Sequence, residues 1–146
     1  MLRRVVLSLL FALSFAPSAT AQETSFAVGQ VWSLRDPAFP DARIRIGRIE
    51  DGGRTIHISL WGVPAPVPEV TDVIGSPLVA GHLPITAEAL RASVGTVSND
   101  QPPAIDFEGG YNAWREAQGG VFTLTVPQIV AAIYETVRNG EPSSAN

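Results

Sequence analysis

Thr55-Ile56-His57-Ile58-Ser59-Leu60-Trp61 alternates apolar and polar residues without a break, and its reading decides the fold. A period of two puts Ile56, Ile58 and Leu60 on one face of a strand and Thr55, His57, Ser59 and Trp61 on the other. Upstream, Ala42-Arg43-Ile44-Arg45-Ile46 alternates in the same way, isoleucines against arginines, and Asp51-Gly52-Gly53 supplies a turn between the two runs. Glycine accepts positive φ without steric cost, so the pair reads as an antiparallel β-hairpin. Ile49 falls out of step with Ile44 and Ile46, and a bulge after Gly47 would return it to the apolar side. Strands that are apolar on one face need helices to cover it, which predicts an α+β fold.

Working outward, Gly29 to Leu34 reads as a first strand, and Asp36 to Asp41, with two prolines, as a loop. After the hairpin, Gly62 to Pro68 carries Pro64, Pro66 and Pro68, an extended connector or exposed arm. The stretch from Gly75 to Pro84 is irregular. A helix starts at Thr86, which can cap free N–H groups while Ile85 packs on Leu90, and Gly95 stops it. Ser98 to Pro103 is a polar loop, and Tyr111 to Gln118 predicts a second helix closed by Gly119-Gly120. Val121 to Leu124 reads as a strand. Thr125-Val126-Pro127-Gln128 then has the form of a capping box, opening a helix with Ile129, Val130, Ile133, Tyr134 and Val137 on one face. The expected architecture is an antiparallel sheet of about four strands packed by two or three helices.

The N-terminus has a different character. Arg3-Arg4 precedes an apolar stretch from Val5 to Phe15, and Ala19-Thr20-Ala21 offers the small residues that signal peptidase needs. Eleven residues of helix reach about 17 Å, short of the ~30 Å hydrocarbon layer. Residues 1–21 are therefore expected to be a cleaved signal peptide, with a single globular domain over 22–140 and a flexible tail over 141–146. The expected destination is the periplasm or the exterior.

The chain contains no cysteine, which excludes disulfides, thiolate metal sites and a lipidated cysteine anchor. With Arg3 and Arg4 removed, eight arginines face fourteen acidic residues, a formal charge of −6. An acidic chain without a basic cluster speaks against nucleic acid as a partner and against an anionic membrane surface.

Two histidines carry what chemistry the sequence offers. His57 falls on the polar phase of its strand, where a solvent-facing or cross-strand residue is expected; His82 lies in the irregular stretch before a capped helix, a setting that frequently holds functional residues. A hydrolase would use Ser76 or Ser93 as nucleophile, His82 as base and Asp72 or Asp106 to orient the ring, although neither serine sits in a G-x-S-x-G elbow. A metal site would need the histidines to meet Glu69 or Asp72, and no ligand spacing supports one. Paired-carboxylate glycoside chemistry could be drawn from Asp106 and Glu108, on one side of an extended segment, and solvated surface is the simpler reading. No phosphate-cradling motif occurs, and no cofactor is expected. Trp61 points away from the isoleucine face, so it is either covered by a second layer or exposed as a contact anchor beside the proline arm.

Gly29-Gln30-Val31-Trp32, Gly81-His82-Leu83-Pro84-Ile85, Ala89-Leu90-Arg91-Ala92-Ser93, Tyr111-Asn112-Ala113-Trp114-Arg115-Glu116-Ala117 and Gly120-Val121-Phe122-Thr123 together resemble a group of small uncharacterised bacterial α+β domains. The resemblance covers nearly all of residues 22–140 and implies one intact domain; it assigns no catalytic residue. Three functions follow as expectations. The first is a binding or interaction protein that uses Trp61, Pro64, Pro66 and His82 to contact a small ligand or another envelope protein. The others are a small hydrolase centred on His82 and a purely structural envelope protein.

Overall fold

The computed structural model describes residues 25–65 and 77–139. Five strands form one antiparallel sheet: β1 (Val31–Leu34), β2 (Arg43–Glu50), β3 (Thr55–Val63), β4 (Leu78–Thr86) and β5 (Val94–Ser98). Three helices accompany them: α1 (Ala87–Ser93), α2 (Phe107–Glu116) and α3 (Val126–Arg138). Strand order is β4-β3-β2-β1-β5, an α+β fold in which β1 lies inside the sheet although it comes first in the chain.

The hairpin forms from β2 and β3 in the expected phase, with Ile44 opposite Leu60 and Ile46 opposite Ile58. The register slips between Ile46 and Arg48, and Ile49 then pairs with Ile56 and packs against the core. Residues 51–53 close the turn as one 3-10 turn, and the Thr55 hydroxyl donates to Asp51 Oδ2 at 2.7 Å.

On the isoleucine face, α1 and α3 close the main core, where Ile44, Ile56, Leu60 and Ile85 pack with Leu90, Val126 and Val130. Thr86 caps α1, and Thr125 with Gln128 makes the reciprocal capping box of α3, both as the sequence predicts. The buried Ser93 hydroxyl joins the two helices by donating to Ala89 O at 2.6 Å and accepting the N–H of Val126 at 2.9 Å.

Three elements depart from expectation. β4 runs through the stretch read as irregular, because an edge strand tolerates Pro84 and the register shifts absorb the neighbouring glycine. β5, which follows α1 directly, was not expected, and it brings the sheet to five strands. Its signal is weak because Val97 is exposed and its pairing with β1 is non-local. Val121 to Leu124 is not a strand. It contributes one parallel bridge, Phe122 to Ile85, before the chain turns into the α3 cap, and Phe122 and Leu124 stay 42% and 46% exposed.

α2 occupies the opposite face of the sheet. It begins at Phe107, four residues earlier than its aromatic spacing predicts, because Asp106 accepts the N–H of Gly109 at 2.8 Å and caps it. Gly47 and Gly110 let it lie close: a Cβ on Gly47 would collide with the Phe107 ring, and one on Gly110 would stand 2.6 Å from Cβ of His82.

Candidate functional site

Where α2 meets the sheet, alternation on β2, β3 and β4 projects Arg48, Glu50, His57 and His82 toward the helix. Phe107, Tyr111 and Trp114 sit at helical spacing i, i+4 and i+7, so one face of α2 answers with three aromatic rings. His57 is 0% exposed, so of the two expected roles the solvent-facing one fails and the cross-strand one holds, with partners on β2 and β4. Its strand phase was read correctly, but the face it occupies is roofed by residues fifty positions away in the chain.

A continuous hydrogen-bonded chain runs through the site. Tyr111 donates its hydroxyl to Glu50 Oε1 at 2.6 Å, Glu50 Oε2 lies 3.2 Å from His57 Nε2, and His57 Nδ1 lies 2.9 Å from His82 Nε2. The imidazole planes are within 16° of each other. Trp114 stands edge-on to His57 at 4.7 Å, Phe107 is 5.6 Å from His82, and the Arg48 guanidinium lies over the Tyr111 ring at 4.1 Å while bridging to Glu108 at 3.5 Å.

Protonation follows from these contacts. The Tyr111 hydrogen bond holds the Glu50 carboxyl below its usual range, with His57 adding to the effect against partial burial. Tyr111 is pushed up in return, first by that same bond. Burial depresses His57 against the pull of Glu50, and burial together with the neighbouring His57 pushes His82 down to about 4. Both rings are therefore neutral near pH 7. A carboxylate only accepts, so His57 carries its hydrogen on Nε2 and turns a lone pair at Nδ1 toward His82. His82 must then donate from Nε2, which leaves its own lone pair on Nδ1. Nδ1 makes no hydrogen bond among the described residues, and none of their buried side-chain nitrogens or oxygens lacks a partner. His82 itself is partly exposed, so its ring stands at the border of the buried cluster. The arrangement presents a hydrogen-bond acceptor of fixed tautomer, backed by a buried imidazole and a carboxylate.

Of the residues singled out in the sequence, His82 belongs to this site, on strand β4 rather than in a loop, and its ring bonds to His57. Trp61 shares the sheet face of His57 and Ser59 and is half-buried; it forms none of the aromatic pairs around His82. Pro64 is exposed, and its carbonyl accepts the Tyr134 hydroxyl from α3. Pro66, Glu69, Asp72 and Ser76 lie outside the described residues. Ser93 is buried with both bonds of its hydroxyl spent on α1 and α3, so it is no nucleophile. Asp106 caps α2 and Glu108 pairs with Arg48. Among the described residues, no three His, Asp or Glu side chains gather as metal ligands would. Sequence reasoning missed Glu50, Tyr111 as its partner, and the pairing of the two histidines. The signal available was that Glu50 and His57 flank one turn on the same face. A comparison with protein-family models finds no match, and neither does one with curated proteins or with solved structures.

Proposed function

We propose that this chain is an exported binding protein, its signal peptide cleaved after Ala21, and that His82 is its central ligand contact. The observation that carries the reading is the Glu50–His57–His82 chain, which fixes the tautomer of a partly exposed histidine. A ligand with an O–H or N–H donor fits Nδ1, and the edges of Phe107 and Trp114 supply apolar contact around it. Trp61, on the same side of β3 as His57, and Pro64, just beyond the end of that strand, extend the surface for a larger partner. The partner is a small ligand or another envelope protein of the periplasm or exterior; the acidic balance disfavours nucleic acid.

Capture from envelope extracts tests this. His82→Gln is expected to lose partners that the wild-type chain retains, with Trp61→Ala weakening capture further. Equal recovery by the wild type and both variants overturns the reading. Mass spectrometry of the purified protein checks the export component, which requires a chain starting at Gln22.

The hydrolase reading draws on the same chain of groups, since a carboxylate behind an imidazole is the usual support of a general base. A pKa near 4 makes His82 a weak base at neutral pH, and the described serine in question, Ser93, is committed elsewhere. Binding is therefore the better use of the site. Hydrolysis of an activated ester that disappears in His82→Gln would favour the enzyme instead. A purely structural role, the third reading, predicts neither capture nor turnover.

A further inference from the structure

We propose that a second site, a groove between the segment leading into β1 and the turn after β5, binds a small carboxylate with an apolar body. The groove is open to solvent, with a volume of about 650 Å³, and its lining includes Val28, Arg45, Val97, Asn99, Asp100 and Gln101. Arg45 stands on β2 opposite Val31 on one side and Ser59 on the other, which fixes the base of its side chain in the middle of the sheet. Its guanidinium enters no ion pair and no hydrogen bond among the described residues.

Charge decides what such a groove accepts. Asp100 is the one carboxylate among the described residues of its wall, and Arg43 is ion-paired with it. Among the described residues Arg45 is then a positive charge with no carboxylate in ion-pair reach, in a molecule whose formal charge is −4. A guanidinium offers two parallel N–H donors that match the two oxygens of a carboxylate. Asn99 and Gln101 add amide donors for the same oxygens.

The apolar part follows from a separate observation. Val28 and Val97 are 61% and 56% exposed, the two highest exposures among the large hydrophobic side chains of the described residues, and both line this groove. A ligand that places its carboxylate on Arg45 can cover these side chains with a hydrocarbon portion, removing apolar surface from water. Free phosphate or sulfate would gain the charge contact alone. The site does not depend on His82 and stands apart from the reading above.

Butyrate, butyramide and inorganic phosphate are the probes, read by amide chemical shifts in ¹H–¹⁵N NMR spectra of the 22–146 protein. Butyrate is expected to give saturable shifts at Gly29, Val97 and Asn99. Arg45→Gln should weaken it about tenfold with an unchanged melting temperature, and Arg138→Gln, remote on α3, should not. Butyramide and phosphate are each expected to bind several-fold more weakly than butyrate. Unsaturable shifts, or equal butyrate affinity in wild type and Arg45→Gln, overturn the site. Phosphate binding as tightly as butyrate overturns the apolar part of the assignment.

Discussion

His82 is held neutral by its surroundings, and its folded pKa of about 4 lies below the value of 6.5 for an exposed histidine. As pH falls through 6.5 the unfolded chain takes up this proton before the folded one, so stability is lost down to about pH 4. His57, depressed in the same direction, adds to the loss. Urea midpoints are expected to drop over this interval in the wild type. In His82→Gln the drop should be smaller, and an equal slope in both would show that the ring does not titrate as its burial requires. Glu50 makes a second case. Replacing it with Gln leaves the buried His57 without its anionic partner, at a cost of about 1–3 kcal/mol in urea unfolding. The same variant should let Tyr111 ionise at lower pH, visible in ultraviolet titration, because its hydroxyl would then donate to a neutral amide oxygen and the carboxylate charge that opposes the phenolate is gone.

α2 is an element whose closeness to the sheet matters more than its propensity. Alanine is a better helix former than glycine by about 1 kcal/mol, so propensity alone predicts that Gly110→Ala stabilises the protein. The added methyl group would stand 2.6 Å from Cβ of His82, and overpacking of that kind costs about 1–3 kcal/mol. A lower melting temperature is therefore expected, while Asn112→Ala, on the exposed side of the same helix, should hold or raise it. α1 and α3 depend on one hydroxyl. Ser93→Ala strands the buried N–H of Val126 and is expected to cost about 1–3 kcal/mol, measured by calorimetry or urea.

At the scale of the molecule, the parts legible in the sequence were those whose information is local. The β2–β3 hairpin follows from period-two alternation and a glycine turn, the Gly47 bulge from a phase change, and α3 from its capping box. What escaped is decided by distant residues. β5 is a strand because β1 offers it an edge, β4 survives a proline because it is itself at an edge, and Val121 to Leu124 has the composition of a strand but only one bridge to make. The site was half legible. His82 stood out, while its pairing with His57 required knowing that α2 would fold over a face whose pattern alone reads as solvated.

The interior place of β1 has a temporal meaning. Its outer neighbour β5 lies far along the chain, and the pair joins Ser33 to Thr96 across 63 positions. A nascent chain leaves the ribosome N-terminus first, at about 5–20 residues per second, so β1 to β3 can assemble while the free edge of β1 still waits for a partner. Pairings between such distant segments form slowly because loop closure must come first. A chain with this topology therefore stays incompletely folded through most of its synthesis, with one strand edge open to mispairing until the last strand of the sheet arrives.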